Sequence, residues 1–170
     1  MAMITCVLGP TGSGKSYVVD HCFGSNLFIK GRPGRMIRES IGMAPAQKEE
    51  NPNRWDLTEQ LVRNYVAGLV QVASELKRPL VLDGFPRDRS QADWFVGFLR
   101  ARSREVESVG VMIVLSNRPE SSLVDTEEPN PVETERHRRS LDDHRESAEV
   151  MAKNFGNNAV DVVEVPWVGY

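Results

Sequence analysis

Gly9-Pro10-Thr11-Gly12-Ser13-Gly14-Lys15-Ser16 is the stretch that most restricts what this chain can become. It follows a short apolar run, Ile4 to Leu8, that reads as a buried strand. It precedes a segment able to begin a helix near Gly14 or Lys15, with Val18, Val19 and Cys22 turned inward. The stretch fits G-x-x-x-x-G-K-[ST] without a mismatch, in the strand–turn–helix context that gives the pattern its meaning. Glycines let backbone N–H groups turn inward around a dense anion, and a helix N-terminus points positive partial charge at it. Lys15 adds a mobile cation for the outer phosphates of a triphosphate, and the Ser16 hydroxyl suits Mg²⁺. The loop implies ATP-type phosphate binding but not a reaction, because kinases, GTPases and motor ATPases all use it.

The rest of the chain alternates strand and helix. Leu27-Phe28-Ile29 reads as a second strand, Leu80-Val81-Leu82 as a third ending at Asp83, Val109 to Leu115 as a fourth and Val160 to Val165 as a fifth. The clearest helix runs from about Leu57 to Leu76, with Leu57, Leu61, Val62, Tyr65, Val66, Leu69, Val72, Ala73 and Leu76 at spacings of three and four. Asp56 with Glu59 three residues on suggests its capped start, and Pro79 blocks its continuation. Another helix is expected with Ser90 as cap and Ala92, Phe95, Val96 and Leu99 inward, and a last one from Glu133 to about Phe155. Ala44–Asn53 and Asn117–Thr134 read as polar loops. Such alternation implies a five-stranded parallel sheet with helices on both faces, a three-layer α/β arrangement; with the Gly9–Ser16 loop it resembles the P-loop NTPase fold. Chemistry in such sheets sits beyond the strands' carboxyl ends, which puts Gly9, Asp83 and Asn117 on one rim.

Composition narrows the partners. The chain has 170 residues, 40% hydrophobic and 26% charged, enough for one ordinary core. The net charge of −3 does not advertise bulk nucleic-acid binding. No apolar run approaches the roughly 18 residues of a membrane helix, and the start lacks the basic stretch of a leader. Cys6 and Cys22, in apolar surroundings, are expected to be buried free thiols. A cytoplasmic protein, monomeric or a small homo-oligomer, is the expectation.

A second motif follows the third strand. Asp83-Gly84-Phe85-Pro86-Arg87, then three residues, then Gln91-Ala92, resembles the signature of the adenylate kinase family of nucleoside monophosphate kinases. The residue types suit the chemistry. Asp83 can hold a water on Mg²⁺ opposite Ser16. Gly84 permits close approach to the backbone. Arg87 offers a fork of donors matched to phosphate, and Gln91 carries both donor and acceptor for a base edge. The resemblance implies that Arg87 holds an acceptor monophosphate and Gln91 faces its base; standing alone, Arg87 would read as a surface arginine. Gly34-Arg35-Met36-Ile37-Arg38 is similar to the family's monophosphate-binding segment, with Arg38 on its second phosphate-binding arginine. Pro33 and Arg35 depart from the threonine and acidic residue that flank the family's glycine. They make Lys30–Arg35 strongly basic, either a solvated turn or a site for a more anionic acceptor.

The resemblance also implies an insertion for the acceptor at about 30–78 and a short lid at about 118–140, within one domain spanning 1–170. Ser121–Thr134 contains no arginine, so the family's arginines at the lid entrance have no counterpart. Arg139 is the best lid candidate, with Arg136 and Arg138 behind it; the mixed charges also suit a salt-bridged helix surface. His137 and His144 read as surface residues. The implied activity is transfer of the γ-phosphoryl of ATP, with Mg²⁺, to a nucleoside or deoxynucleoside monophosphate, with Lys15, Arg87 and Arg139 as catalytic residues. Two alternatives stand beside it: a non-nucleotide or nucleic-acid 5′-end acceptor, and a nucleotide-binding protein with little turnover.

Overall fold

A parallel sheet and its helical connections form the frame. The computed structural model describes residues 1–10, 12–41, 52–116, 131–156 and 160–165; of these, the side chains of 41, 52–56, 116, 131–139, 160 and 165 are left aside. In chain order the elements are β1 (Ala2–Leu8), α1 (Lys15–Cys22), β2 (Ile29–Gly31), α2 (Pro33–Ile41), α3 (Pro52–Leu76), β3 (Leu80–Asp83), α4 (Arg89–Ala101), β4 (Val106–Ser116), α5 (Pro131–Phe155) and β5 (Val160–Val165). The five strands lie in the order β2-β3-β1-β4-β5, and every pairing is parallel.

Strand alternation divides the core between the two sheet faces. Ile4, Cys6 and Leu8 of β1, Leu80 and Leu82 of β3, and Val109 and Val111 of β4 pack with Val62, Val66, Val70 and Ala73 of α3, Phe95 and Leu99 of α4 and Met151 of α5. The residues between them in register, Val7, Val81 and Val114, pack with Val18 and Val19 of α1. The sheet is therefore covered on both faces, as strand–helix alternation requires.

Several local expectations are corrected. β2 is Ile29–Gly31 and not Leu27–Ile29; Leu27 is exposed in the preceding turn. β4 begins earlier, at Val106. Helix α3 starts at Pro52, so Asp56 lies inside it and Pro52 and Asn53 are helical, because proline suits a first helical position. Its inward stripe runs through Val70, whereas Leu57, Val72 and Leu76 are exposed. Asp88, not Ser90, caps α4: its carboxylate accepts the Gln91 N–H at 2.9 Å. Cys6 is buried, and burial pushes its thiol up to about 12, but Cys22 is exposed. Among the described residues, no helix is long and apolar enough to cross a membrane.

The strand order decides where a ligand can sit. From β1 the chain moves past β3's position to β2, and from β3 it crosses β1 to reach β4. The crevice beyond the carboxyl ends of β1 and β3 is the place where the connections diverge. Both sequence motifs begin there.

Candidate functional site

The loop after β1 is held open by backbone geometry. Gly9, Gly12 and Gly14 have positive φ, and Gly14 precedes α1 in the left-handed region. At Gly9 a Cβ would lie 2.3 Å from the Val114 carbonyl oxygen, so only glycine fits. Helix α1 has no side-chain cap and no acidic residue in its first turn, which leaves its positive end to an external anion. Ser13 is buried with its hydroxyl unpartnered. Lys15 folds back to donate to the Pro10 carbonyl at 2.9 Å. Burial lowers its pKa, Asp83 acts in the opposite direction, and Arg87 lowers it further. Thr11 lies outside the described residues.

The turn after β3 is tied to this loop. The Gly84 N–H donates to the Val7 carbonyl at 2.8 Å, and Gly84 has a φ of 71°. Phe85 is fully buried against Phe95, ring centroids 5.2 Å apart, which anchors the turn in the core. The Phe85–Pro86 peptide is cis. Ser16 donates to Asp83 Oδ2 at 2.8 Å, so the hydroxyl and carboxylate expected at a metal are already adjacent. Such a hard-oxygen pair fits Mg²⁺.

Arg87 is the strongest geometric feature of the site. Its Nε donates to the Gly84 carbonyl at 3.2 Å, which directs the guanidinium toward α2. A Cβ on Gly34 would meet Arg87 Nη2 at 2.1 Å and stand 3.8 Å from Arg38 Nη1. Both guanidiniums thus reach the bare Cα of Gly34. Burial lowers the pKa of Arg87, and Arg38 lowers it further by like charge. Asp83 and Asp88 act on Arg87 in the opposite direction. A half-buried Arg87 with the exposed Arg38 beside it favours an anion between them.

Gln91 is buried and committed on both sides. Its Oε1 accepts the Arg87 N–H at 3.0 Å, and its Nε2 donates to Glu59 Oε2 at 2.8 Å. One amide N–H and one lone pair remain for a ligand. Glu59 also accepts from Arg63 Nε at 3.1 Å.

Two of the site's neighbours were not singled out from the sequence. Arg32, at the carboxyl end of β2, stands with Nε 3.7 Å from Asp83 Oδ2 and bonds Asp20 through Nη2. Its Nε has no hydrogen-bond partner, and the only signal was its position within the basic run. Arg35, by contrast, pairs with Glu39 at 2.6 Å, and both are exposed. The second is His144, expected on the surface but 6% exposed, with Lys15 and Arg87 acting on its ring. Its signal was its place on one stripe with Ser147, Ala148 and Met151, which only packing could reveal.

Arg136, Arg138 and Arg139 lie on the backbone of α5, but their side chains fall outside the described residues, as does His137. Asn117 and the polar segment to residue 130 also fall outside them. Among the described residues no group of three or more His, Cys, Asp or Glu gathers at metal spacing. A scan against protein-family models matches none of them, and a search of curated proteins finds no similar sequence.

Proposed function

We propose that the chain is a phosphotransferase of the P-loop kinase type, similar to the adenylate kinase family, passing the γ-phosphoryl of ATP to a nucleoside or deoxynucleoside monophosphate. One observation carries this reading: Arg38 and Arg87 meet at Gly34, on the same rim as Lys15. A triphosphate site alone needs no second pair of cations. A hydroxyl acceptor without phosphate would instead need a free base, and Asp83 is occupied by Ser16 and flanked by Arg32.

The residues then divide the work. The loop from Gly9 to Ser16 and the head of α1 cradle the ATP phosphates. Lys15 leaves the Pro10 carbonyl to follow the phosphoryl group in transit. Ser16 and Asp83 would hold Mg²⁺, which would supply charge neutralisation on the ATP phosphates. Arg38 and Arg87 hold the acceptor phosphate in line, and Gln91 presents its remaining donor and acceptor to the base. Arginines of the α5 segment, Arg139 first, are assigned to the charge that develops during transfer. No side-chain nucleophile is required.

The test is ADP release from ATP across a panel of ribo- and deoxynucleoside monophosphates, with a no-acceptor control. Acceptor-dependent release is expected, and its rank order assigns the base. Release in the control alone, or ATP binding without release anywhere, contradicts the reading in favour of an ATPase, another acceptor or a nucleotide sensor.

A further inference from the structure

The buried stripe of α5 begins with a polar residue. His144, Ser147, Ala148 and Met151 lie on one face at 6%, 0%, 4% and 0% exposure. Ser147 is satisfied within the helix, its hydroxyl donating to the Asp143 carbonyl at 2.9 Å. His144 is not: its Nδ1 is buried without a hydrogen-bond partner, while the ring is engaged by a hydrogen bond to the Pro86 backbone. A buried polar atom left unpaired is costly, so a helix would not hold one here without compensation.

The surroundings name the compensation. Lys15 at the head of α1 and Arg87 in the turn after β3 are the charges that act on the ring, and both are positive. Beside the ring on α5, Asp142 pairs with Arg145 at 4.0 Å, and Glu146 with Arg89 of α4 at 3.0 Å. Burial and the two cations hold the imidazole neutral, its pKa lowered to about 4. The same cations are those assigned above to the ATP phosphates and the acceptor phosphate. Phosphate oxygens arriving between them would reverse the local field, and the ring would then gain from a proton.

We propose that His144, bonded to the backbone of the Gly84–Arg87 turn at Pro86 with Nδ1 unpartnered, is a phosphate-binding residue: as phosphates arrive, Nδ1 takes a proton from solvent and donates it in a hydrogen bond to a phosphate oxygen. This rests on the reading of the loop as an ATP site. It adds a donor beside Lys15 on the ATP side, and it makes ATP affinity rise as pH falls from neutral toward the acid side. The proton is taken up and returned with each binding and release, so none is consumed.

Calorimetry with ATP as the probe, run at pH 6.5 in two buffers of different ionisation enthalpy, reads the proton count directly. The wild type is expected to take up a fraction of a proton per ATP bound, and His144→Gln to bind ATP more weakly with that uptake abolished. His144→Asn serves as a second variant, and ring NMR of the unaltered protein needs no variant at all. In that titration the midpoint of His144 should move up by about two pH units or more when ATP is present, which is what a measurable proton uptake at pH 6.5 requires. ATP binding by the wild type without proton uptake, or a His144 midpoint unmoved by ATP, overturns the proposal and leaves the ATP site intact. Failure of the wild type to bind ATP overturns the ATP site itself, and the proposal with it.

Discussion

The two halves of the rim are built on opposite principles. Around the loop after β1, most polar groups are partnered, with Ser13 Oγ and Arg32 Nε as exceptions: Ser16 bonds Asp83, Lys15 bonds Pro10, and Arg32 bonds Asp20 and stands beside Asp83. Around Gly34, like charges are crowded: burial, and after it Arg38, lowers the pKa of Arg87, and both guanidiniums approach a residue with no side chain. The first arrangement is stable without a ligand and has only to rearrange. The second stores repulsion that an anion relieves, so it is selective for a ligand that brings negative charge. Under the proposed reading, this separates the triphosphate side, preformed, from the acceptor side, completed by its substrate.

The largest effect should come from removing the crowded side's fork. Arg87→Ala is expected to lower phosphoryl transfer by about 10²–10³-fold, while calorimetry finds ATP affinity nearly unchanged. Equal losses in both would erase the distinction between the halves.

Two glycines sharpen it. Gly9→Ala forces a Cβ onto the Val114 backbone at positive φ and should lower stability by more than about 2 kcal/mol in a denaturant melt. Gly34→Ala meets only the mobile end of Arg87, and alanine is the better helix former in α2. Its stability should stay within about 1 kcal/mol of wild type. The KM for the acceptor should rise on the order of tenfold to a hundredfold. A Gly34→Ala protein with an unaltered KM would mean that the guanidinium's position there is idle.

His144 joins the halves and predicts a pH dependence with a definite sign. Its folded value lies at about 4, below the roughly 6.5 of an unfolded histidine. Between those values the unfolded chain binds the proton and the folded chain does not. Stability is therefore lost as pH falls from 6.5 toward 4, by at most about 3 kcal/mol. His144→Gln should flatten that part of the wild-type slope, and saturating ATP should flatten it in the wild type.

The smallest effect concerns the support beneath the crowded side. Asp88→Ala should cost about 1 kcal/mol through the lost cap of α4, whereas Ser90→Ala should cost almost nothing in the same melt. The reverse order would restore the cap that the sequence suggested.

What could be read from the sequence follows the range of the forces involved. The strand–turn–helix form of the stretch from Gly9 to Ser16 was legible because its glycines act within one turn of chain. The sheet was legible because strand and helix periods alternate cleanly, as was the inward face of α4 through Phe95 and Leu99. Arg38, Gly34 and Arg87 were found one by one through their motifs, but their meeting point depends on how α2 packs beside the turn after β3. His144 and Arg32 were missed for the same reason: each is set by packing between elements far apart in the chain. Asp88 and Ser90 are both competent caps two residues apart, and only the path of the chain chooses between them. In α3 Val70 is buried and Val72 exposed, and with apolar residues spread round so much of the helix, periodicity alone does not fix which of them turns inward.

The most direct test of the account follows the phosphoryl group itself. ATP labelled at the γ-phosphate, mixed with the protein and the best acceptor of the panel, should place the label on a nucleoside diphosphate, and Arg87→Ala should slow its appearance there. Label found only in inorganic phosphate, or remaining wholly in ATP with every monophosphate tried, would contradict the assignment of Arg38, Gly34 and Arg87 as an acceptor site.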